Sequence, residues 1–198
     1  MTTLVIDESS DEVGGAHRYM IGAGVLVTRL EATRRQVEAV IFDTEDRVRP
    51  FHWVDEGAVR RQTMLDLVGT LGIDVFAVVS VAQTRHHLEH VRDRCLRELF
   101  RVIREADVDR IVFESRERAV SVTGQNRRDY TTLIEARHAG DLPPRIRYEW
   151  VLKSDPIVWL ADAVAGAVLA AERGDMSWLD HLGQLTRVQI VRLPPERA

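Results

Sequence analysis

Short apolar runs suited to strands alternate along this chain with stretches in which apolar positions recur every three or four residues. Residues 3 to 7, nearly all apolar, fit a central strand covered on both faces, and residues 19 to 27 fit a second strand after a turn around Gly14-Gly15. Helical spacing runs from Leu30 to Asp43, and Arg49 to Asp55 reads as extended. A second helix follows from Asp55 or Glu56 to Leu71, where Gly72 is a stop signal. Val75 to Val81 reads as a third strand. Leu88, Val91, Cys95, Leu99 and Val102 then form the stripe of an amphipathic helix between Thr84 and Glu105. The remainder predicts a strand over Arg110 to Glu114, a polar arginine-rich stretch over Ser115 to Arg128 and a helix from Asn126 to Arg137. After the turn Gly140-Asp141-Leu142-Pro143-Pro144 come a strand over Arg145 to Leu152 and a closing helix from Asp155. The expected fold is α/β, a mixed central sheet flanked by helices, in one domain over residues 1–198. Its compact part spans about 3–173 and its C-terminal extension about 174–198, where the alternating Val188 to Leu193, stopped by Pro194-Pro195, suits an edge strand or an intersubunit contact.

Three acids interrupt this apolar pattern. Asp7 ends the first run, Glu114 ends Ile111-Val112-Phe113, and Asp162 lies inside Ile157 to Val168. At about 100° per residue, Asp155, Val158, Asp162, Gly166 and Leu169 share one side of the last helix, while Ile157, Leu160, Val164 and Val168 cover the other. Such a helix is buried nearly all round, and Ala165-Gly166 predicts a close approach to the sheet beside Asp162. A carboxylate in apolar surroundings is normally paired, protonated or bound to a metal. Asp155 has two readings, a metal ligand or an N-cap ahead of Pro156.

Composition narrows the field. The chain is 198 residues, 45% hydrophobic and 29% charged with net charge −4, which suits one substantial core and does not mark a strongly basic nucleic-acid binder. No apolar run reaches the roughly 18 residues of a membrane span, and no basic segment precedes a signal-like core, so the expectation is a cytoplasmic protein. Cys95 is the sole cysteine, which leaves no intrachain disulfide and no thiolate-rich zinc cage. Lys153 is the sole lysine in an arginine-rich chain and stands beside Ser154 and Asp155.

The segments Ile6-Asp7-Glu8-Ser9, Val112-Phe113-Glu114-Ser115-Arg116 and Trp159-Leu160-Ala161-Asp162-Ala163-Val164-Ala165-Gly166-Ala167 resemble, in order and spacing, the bacterial and phage family known as domain of unknown function 3800. That family looks like a branch of the ribonuclease H-like superfamily, whose members hold divalent cations with carboxylates on the first strand, a later strand and a C-terminal helix. The resemblance implies a ribonuclease H-like fold and a metal site of Asp7, Glu114 and Asp162, with Glu8 or Asp155 as further ligands. Phe51-His52-Trp53 also resembles a family feature, in which an aromatic-flanked histidine precedes an acid such as Asp55. Two positions depart from the pattern: Trp159 stands where glutamine is common, and Glu114 where aspartate is common.

The chemistry suits these residue types. Mg²⁺ and Mn²⁺ prefer oxygen ligands, and two such ions roughly 4 Å apart activate water and stabilise the leaving oxygen in phosphodiester hydrolysis. The expectation is a nuclease or related phosphodiesterase acting on DNA or RNA, with Arg116, Arg127, Arg128 and Lys153 contacting phosphates. For each arginine an ordinary solvated face is the alternative. His52 has a catalytic reading and a packed-core reading. Two rivals stand beside the nuclease. One is an inactive domain that binds nucleic acid or a partner protein, since fold does not confer activity. The other is a zinc protease built on His86-His87-Leu88-Glu89-His90, which matches H-x-x-E-H. Against it, His86 and His90 lie about 140° to 180° from the apolar stripe of their helix. Homo-oligomerisation and the biological setting, phage defence among them, stay open.

Overall fold

The computed structural model describes residues 1–10, 18–42, 50–82, 88–118 and 120–194. Among these, six strands form one sheet: β1 (Thr2–Ser10), β2 (Arg18–Val27), β3 (Val75–Ala82), β4 (Val108–Glu114), β5 (Arg147–Val151) and β6 (Val188–Arg192). Their spatial order is β5-β4-β1-β2-β3-β6. β1, β2 and β3 form an antiparallel meander, while β4 runs parallel to β1, β5 parallel to β4 and β6 parallel to β3. The α/β class and the mixed sheet expected from the hydrophobic pattern are the ones observed, and Val188–Arg192 forms the expected edge strand.

Helices cover both faces. On one side lie α1 (Leu30–Phe42), α2 (Ala58–Thr70), α5 (Val158–Glu172) and α6 (Ser177–Leu185), and on the other α3 (Leu88–Val102) and α4 (Gly124–Ala139). The strand pleat assigns side chains to these layers, because successive residues point to opposite faces. Val5 and Val112 enter the core beneath α5, whereas Leu4, Ile6, Ile111 and Phe113 enter the core beneath α3 and α4. Burial of this kind stabilises by about 25 cal/mol per Å² of apolar surface, which favours a helix that is apolar all round at the most enclosed position. α5 fills that role, lying across β1 and β2.

Two local expectations are corrected. Residues Trp53–Asp55 form a single 3₁₀ turn rather than continuing an extended segment, closed by Asp55 N–H to the His52 carbonyl at 2.8 Å and Glu56 N–H to the Trp53 carbonyl at 3.2 Å. The last long helix starts at Val158, because Asp155, Pro156 and Ile157 form a turn in which Asp155 Oδ1 accepts the Ile157 N–H at 3.1 Å. A short helix, α6, occupies part of what reads in sequence as an extension; Asp175 Oδ1 receives the Ser177 N–H at 3.1 Å where it begins. No helix among the described residues is long and apolar enough to cross a membrane.

Candidate functional site

Register brings the first two acids together. Ile6 of β1 pairs with Phe113 of β4 in parallel, so Asp7 and Glu114 are the next residues on adjacent strands. The pleat that sends Ile6 and Phe113 toward α3 and α4 sends Asp7 and Glu114 to the opposite face, beneath α5. On the far side of β1, Asp7 faces Ala23 of β2, a small neighbour. α5 brings Asp162 down onto this face, and both aspartates are nearly inaccessible to solvent, at 7% for Asp7 and 5% for Asp162.

The electrostatics follow from burial and like charge. Burial pushes the Asp7 carboxyl well above the usual carboxylate range, and the charges of Glu114, Asp162 and Glu8 push it further. Glu114 is raised to about 7, first by burial; the Lys153 ammonium opposes the rise and Asp162 and Glu8 reinforce it. Neither Asp7 nor Glu114 forms an ion pair with a described residue. The donor set is all oxygen and carries excess negative charge, which fits a hard divalent cation in chemistry. In spacing, no three His, Cys, Asp or Glu side chains among the described residues are close enough to hold a metal ion as they stand. A cation held by all three would have to draw the carboxylates inward, against a repulsion that it would itself remove.

Asp162 is the best-anchored acid. Its Oδ2 accepts the Trp53 backbone N–H at 2.9 Å and lies 3.2 Å from His52 Nδ1. His52 is half-buried, and its pKa is raised chiefly by this hydrogen bond. At Gly166 the nearest neighbour is the Trp53 indole, while α5 itself packs across β1 and β2 as expected. Beside the acids, a cleft of about 560 Å³ is lined by His52, Asp55, Ser115, Arg118, Leu152 and Lys153 among others. Lys153 is exposed on the turn after β5 and bears electrostatically on both Glu114 and His52.

Other residues singled out in the sequence lie elsewhere. Glu8 follows Asp7 and so points to the opposite face of the sheet, where Arg92 of α3 grips both its oxygens, Nε at 2.7 Å and Nη2 at 3.0 Å. Asp155 is not gathered with the acids either: Arg34 Nε donates to its Oδ1 at 2.8 Å, and the same oxygen caps the turn before α5. Arg116 is committed to Glu89, at 2.5 and 3.0 Å, and to Glu8 at 3.4 Å, while Arg128 lies 3.2 Å from Glu89. Arg127 is exposed on α4. Of the protease-like motif, His86 and His87 lie outside the described residues, His90 is exposed, and Glu89 is held by Arg116 and Arg128, which lower its pKa to about 2.

Pattern reading missed the buried network behind β1. Arg92 bridges Glu8 and the fully buried Asp129 of α4. Asn126, also fully buried, accepts the Arg116 N–H at 3.1 Å and donates to Ser115 Oγ and to the Ser121 carbonyl, each at 2.9 Å, which ties down the loop after Glu114. Arg92 stands beside Val91 and three residues before Cys95 on the apolar stripe of α3, a position where a charge signals a buried partner.

No family model matches this chain, and no curated protein matches it in sequence. Solved structures of similar trace include RNase HII in its PCNA complex from Archaeoglobus fulgidus, at 14% identity and TM-score 0.49 over 88% of this chain and 79% of that one. Ribonuclease H2 from Pyrococcus horikoshii OT3 matches at 13% and 0.49 over 89% and 79%. A mutant form of Bst-RNase HIII matches at 14% and 0.48 over 89% and 54%. Likeness at this level does not extend to activity or ligands.

Proposed function

We propose that this chain is a divalent-metal-dependent nuclease or related phosphodiesterase of ribonuclease H-like type, with Asp7, Glu114 and Asp162 as cation ligands. The observation that carries the reading is the meeting of these three acids from β1, β4 and α5 on one sheet face, mutually repelling, with Asp7 and Glu114 lacking an ion-pair partner among the described residues. The motif resemblance to domain of unknown function 3800 names the same three positions. Bound Mg²⁺ or Mn²⁺ would supply an activated water and charge neutralisation at the leaving oxygen. The chain's own residues do the rest. Lys153, at the mouth of the adjoining cleft, attracts a phosphate to a site whose acids would otherwise repel it. His52, hydrogen-bonded to Asp162, borders the same cleft and is placed to hold or pass a proton. Leu152, exposed beside Lys153, offers an apolar contact for a sugar or base.

The test is cleavage of end-labelled single- and double-stranded DNA and RNA in Mg²⁺ or Mn²⁺ against chelator, with Asp7→Asn, Glu114→Gln and Asp162→Asn alongside. Metal-dependent cleavage lost in all three variants supports the reading. A second reading, an inactive module that binds nucleic acid or a partner, is favoured by the open spacing of the acids. It predicts binding by the parent that neither chelator nor the three substitutions alter.

A further inference from the structure

The Asp162 carboxylate is held by a device that stands outside the acid cluster. The Trp53 N–H donates to Oδ2, and His52 Nδ1 reaches the same oxygen. Four residues further along α5, Gly166 leaves a bare patch of helix where the Trp53 indole lies, so that any Cβ at this position would overlap the ring. The indole is fixed from its other sides as well. Trp178 of α6 meets it edge-on with centroids 5.5 Å apart, and the Arg61 guanidinium of α2 stacks 4.8 Å from its centre. Arg61 Nε also donates to the Trp53 carbonyl at 3.0 Å. One residue therefore grips α5 at two points, through its ring at Gly166 and through its backbone at Asp162.

We propose that the Trp53–Gly166 seat is a positioning device for the site: it fixes the 3₁₀ turn so that Trp53 N–H and His52 occupy Oδ2, leaving Oδ1 as the single oxygen that Asp162 offers to a cation. Oδ1 accepts no hydrogen bond from a described residue. The proposal rests on the metal-dependent reading above for its consequence, but not for its geometry. A ligand whose rotamer is set by an outer hydrogen bond gives up less freedom when the ion arrives, which is why such partners govern affinity. Trp53 and Gly166 touch no ion in this scheme; they act through Asp162.

The experiment uses the full chain, isotopically labelled, as parent, Gly166→Ala and Trp53→Phe. Amide hydrogen exchange is followed by NMR without metal, and Mn²⁺ is then titrated calorimetrically. In Gly166→Ala the Trp53 amide is expected to exchange at least about tenfold faster, while amides of β1 to β3 keep their parental protection. Mn²⁺ affinity is expected to fall about 10- to 100-fold in that variant and to stay within about threefold of the parent in Trp53→Phe, which keeps a ring on the seat and the same N–H. Unchanged exchange at Trp53 together with unchanged affinity in a folded Gly166→Ala protein overturns the proposal. Should Gly166→Ala fail to fold, Trp53→Ala removes the ring from the other side, with the same expectations and the same overturning result. A parent that binds no Mn²⁺ removes the metal reading, and the Trp53 exchange rate then decides the seat alone.

Discussion

Asp7 and Glu8 are neighbours in sequence and live in opposite electrostatic worlds. On the α5 face, Asp7 joins Glu114 and Asp162, and no described cation pairs with Asp7 or Glu114. On the other face, Glu8 joins Asp129 and Glu89, and Arg92 and Arg116 bind all three. Burial raises the proton affinity of Asp129 and of Glu114 alike, but arginine opposes the rise by direct contact behind β1, whereas at Glu114 the opposition is the electrostatic reach of Lys153 and at Asp7 a backbone hydrogen bond from Glu8. Among the described residues a guanidinium meets the buried carboxylates Asp129 and Glu56 but neither Asp7 nor Glu114, and this contrast is what the proposed cation site rests on.

The contrast can be broken most forcefully on the balanced side. Arg92→Met strands the fully buried Asp129 and takes from Glu8 its nearer partner, and should cost about 3–5 kcal/mol in urea denaturation. Asp7→Asn removes one member of a repelling set and should leave the metal-free protein at least as stable as the parent. The next effect is on the unbalanced side. Mn²⁺ at about 100 times its dissociation constant should stabilise the parent by about 2.7 kcal/mol. Asp7→Asn and Asp162→Asn should show no such response in thermal unfolding. A smaller gain, roughly 1 kcal/mol at pH 8 without metal, is expected from Glu114→Gln, which removes a charge that burial disfavours.

The pH profile of unfolding sharpens the comparison further, because the two faces carry opposite signs. Glu114 has a folded pKa of about 7, above its ordinary value, so the folded state binds the extra proton and metal-free stability should rise as pH falls from about 8 toward 5. Glu89 is depressed to about 2, so its contribution is complete above the ordinary carboxylate range and is lost as pH falls from there toward 2. Denaturation midpoints across about pH 2 to 8 should show both limbs. Glu114→Gln flattens the upper limb. Glu89→Gln flattens the lower one by a small amount, since its carboxylate is well exposed.

Much of this arrangement is legible in the sequence. The position of Glu114 at the end of an apolar run and of Asp162 within an all-round apolar helix betray buried charge, and with Asp7 they give the three elements that meet. What periodicity does not contain is register. That β4 docks beside β1 with Phe113 opposite Ile6 decides that Asp7 and Glu114 share a face, and it likewise decides that Glu8 does not. Asp155 illustrates a different gap: a carboxylate ahead of Pro156 suits a cap, and it is the long-range partner Arg34, 121 residues away, that completes its pairing. Trp53 shows a third. Its seat on Gly166 is not foreseeable, because a missing side chain announces a close approach without saying what approaches.

Positions 7, 114 and 162 are far apart along the chain, and this has a kinetic meaning. β1 can pair with β2 early, but the parallel partner β4 and the covering helix α5 arrive through contacts of long sequence separation, which close slowly. The three acids therefore come together only once both β4 and α5 have docked. Where that docking follows the folding barrier, a bound cation would leave the rate of folding nearly untouched and act chiefly by holding α5 down, lengthening the lifetime of the native state.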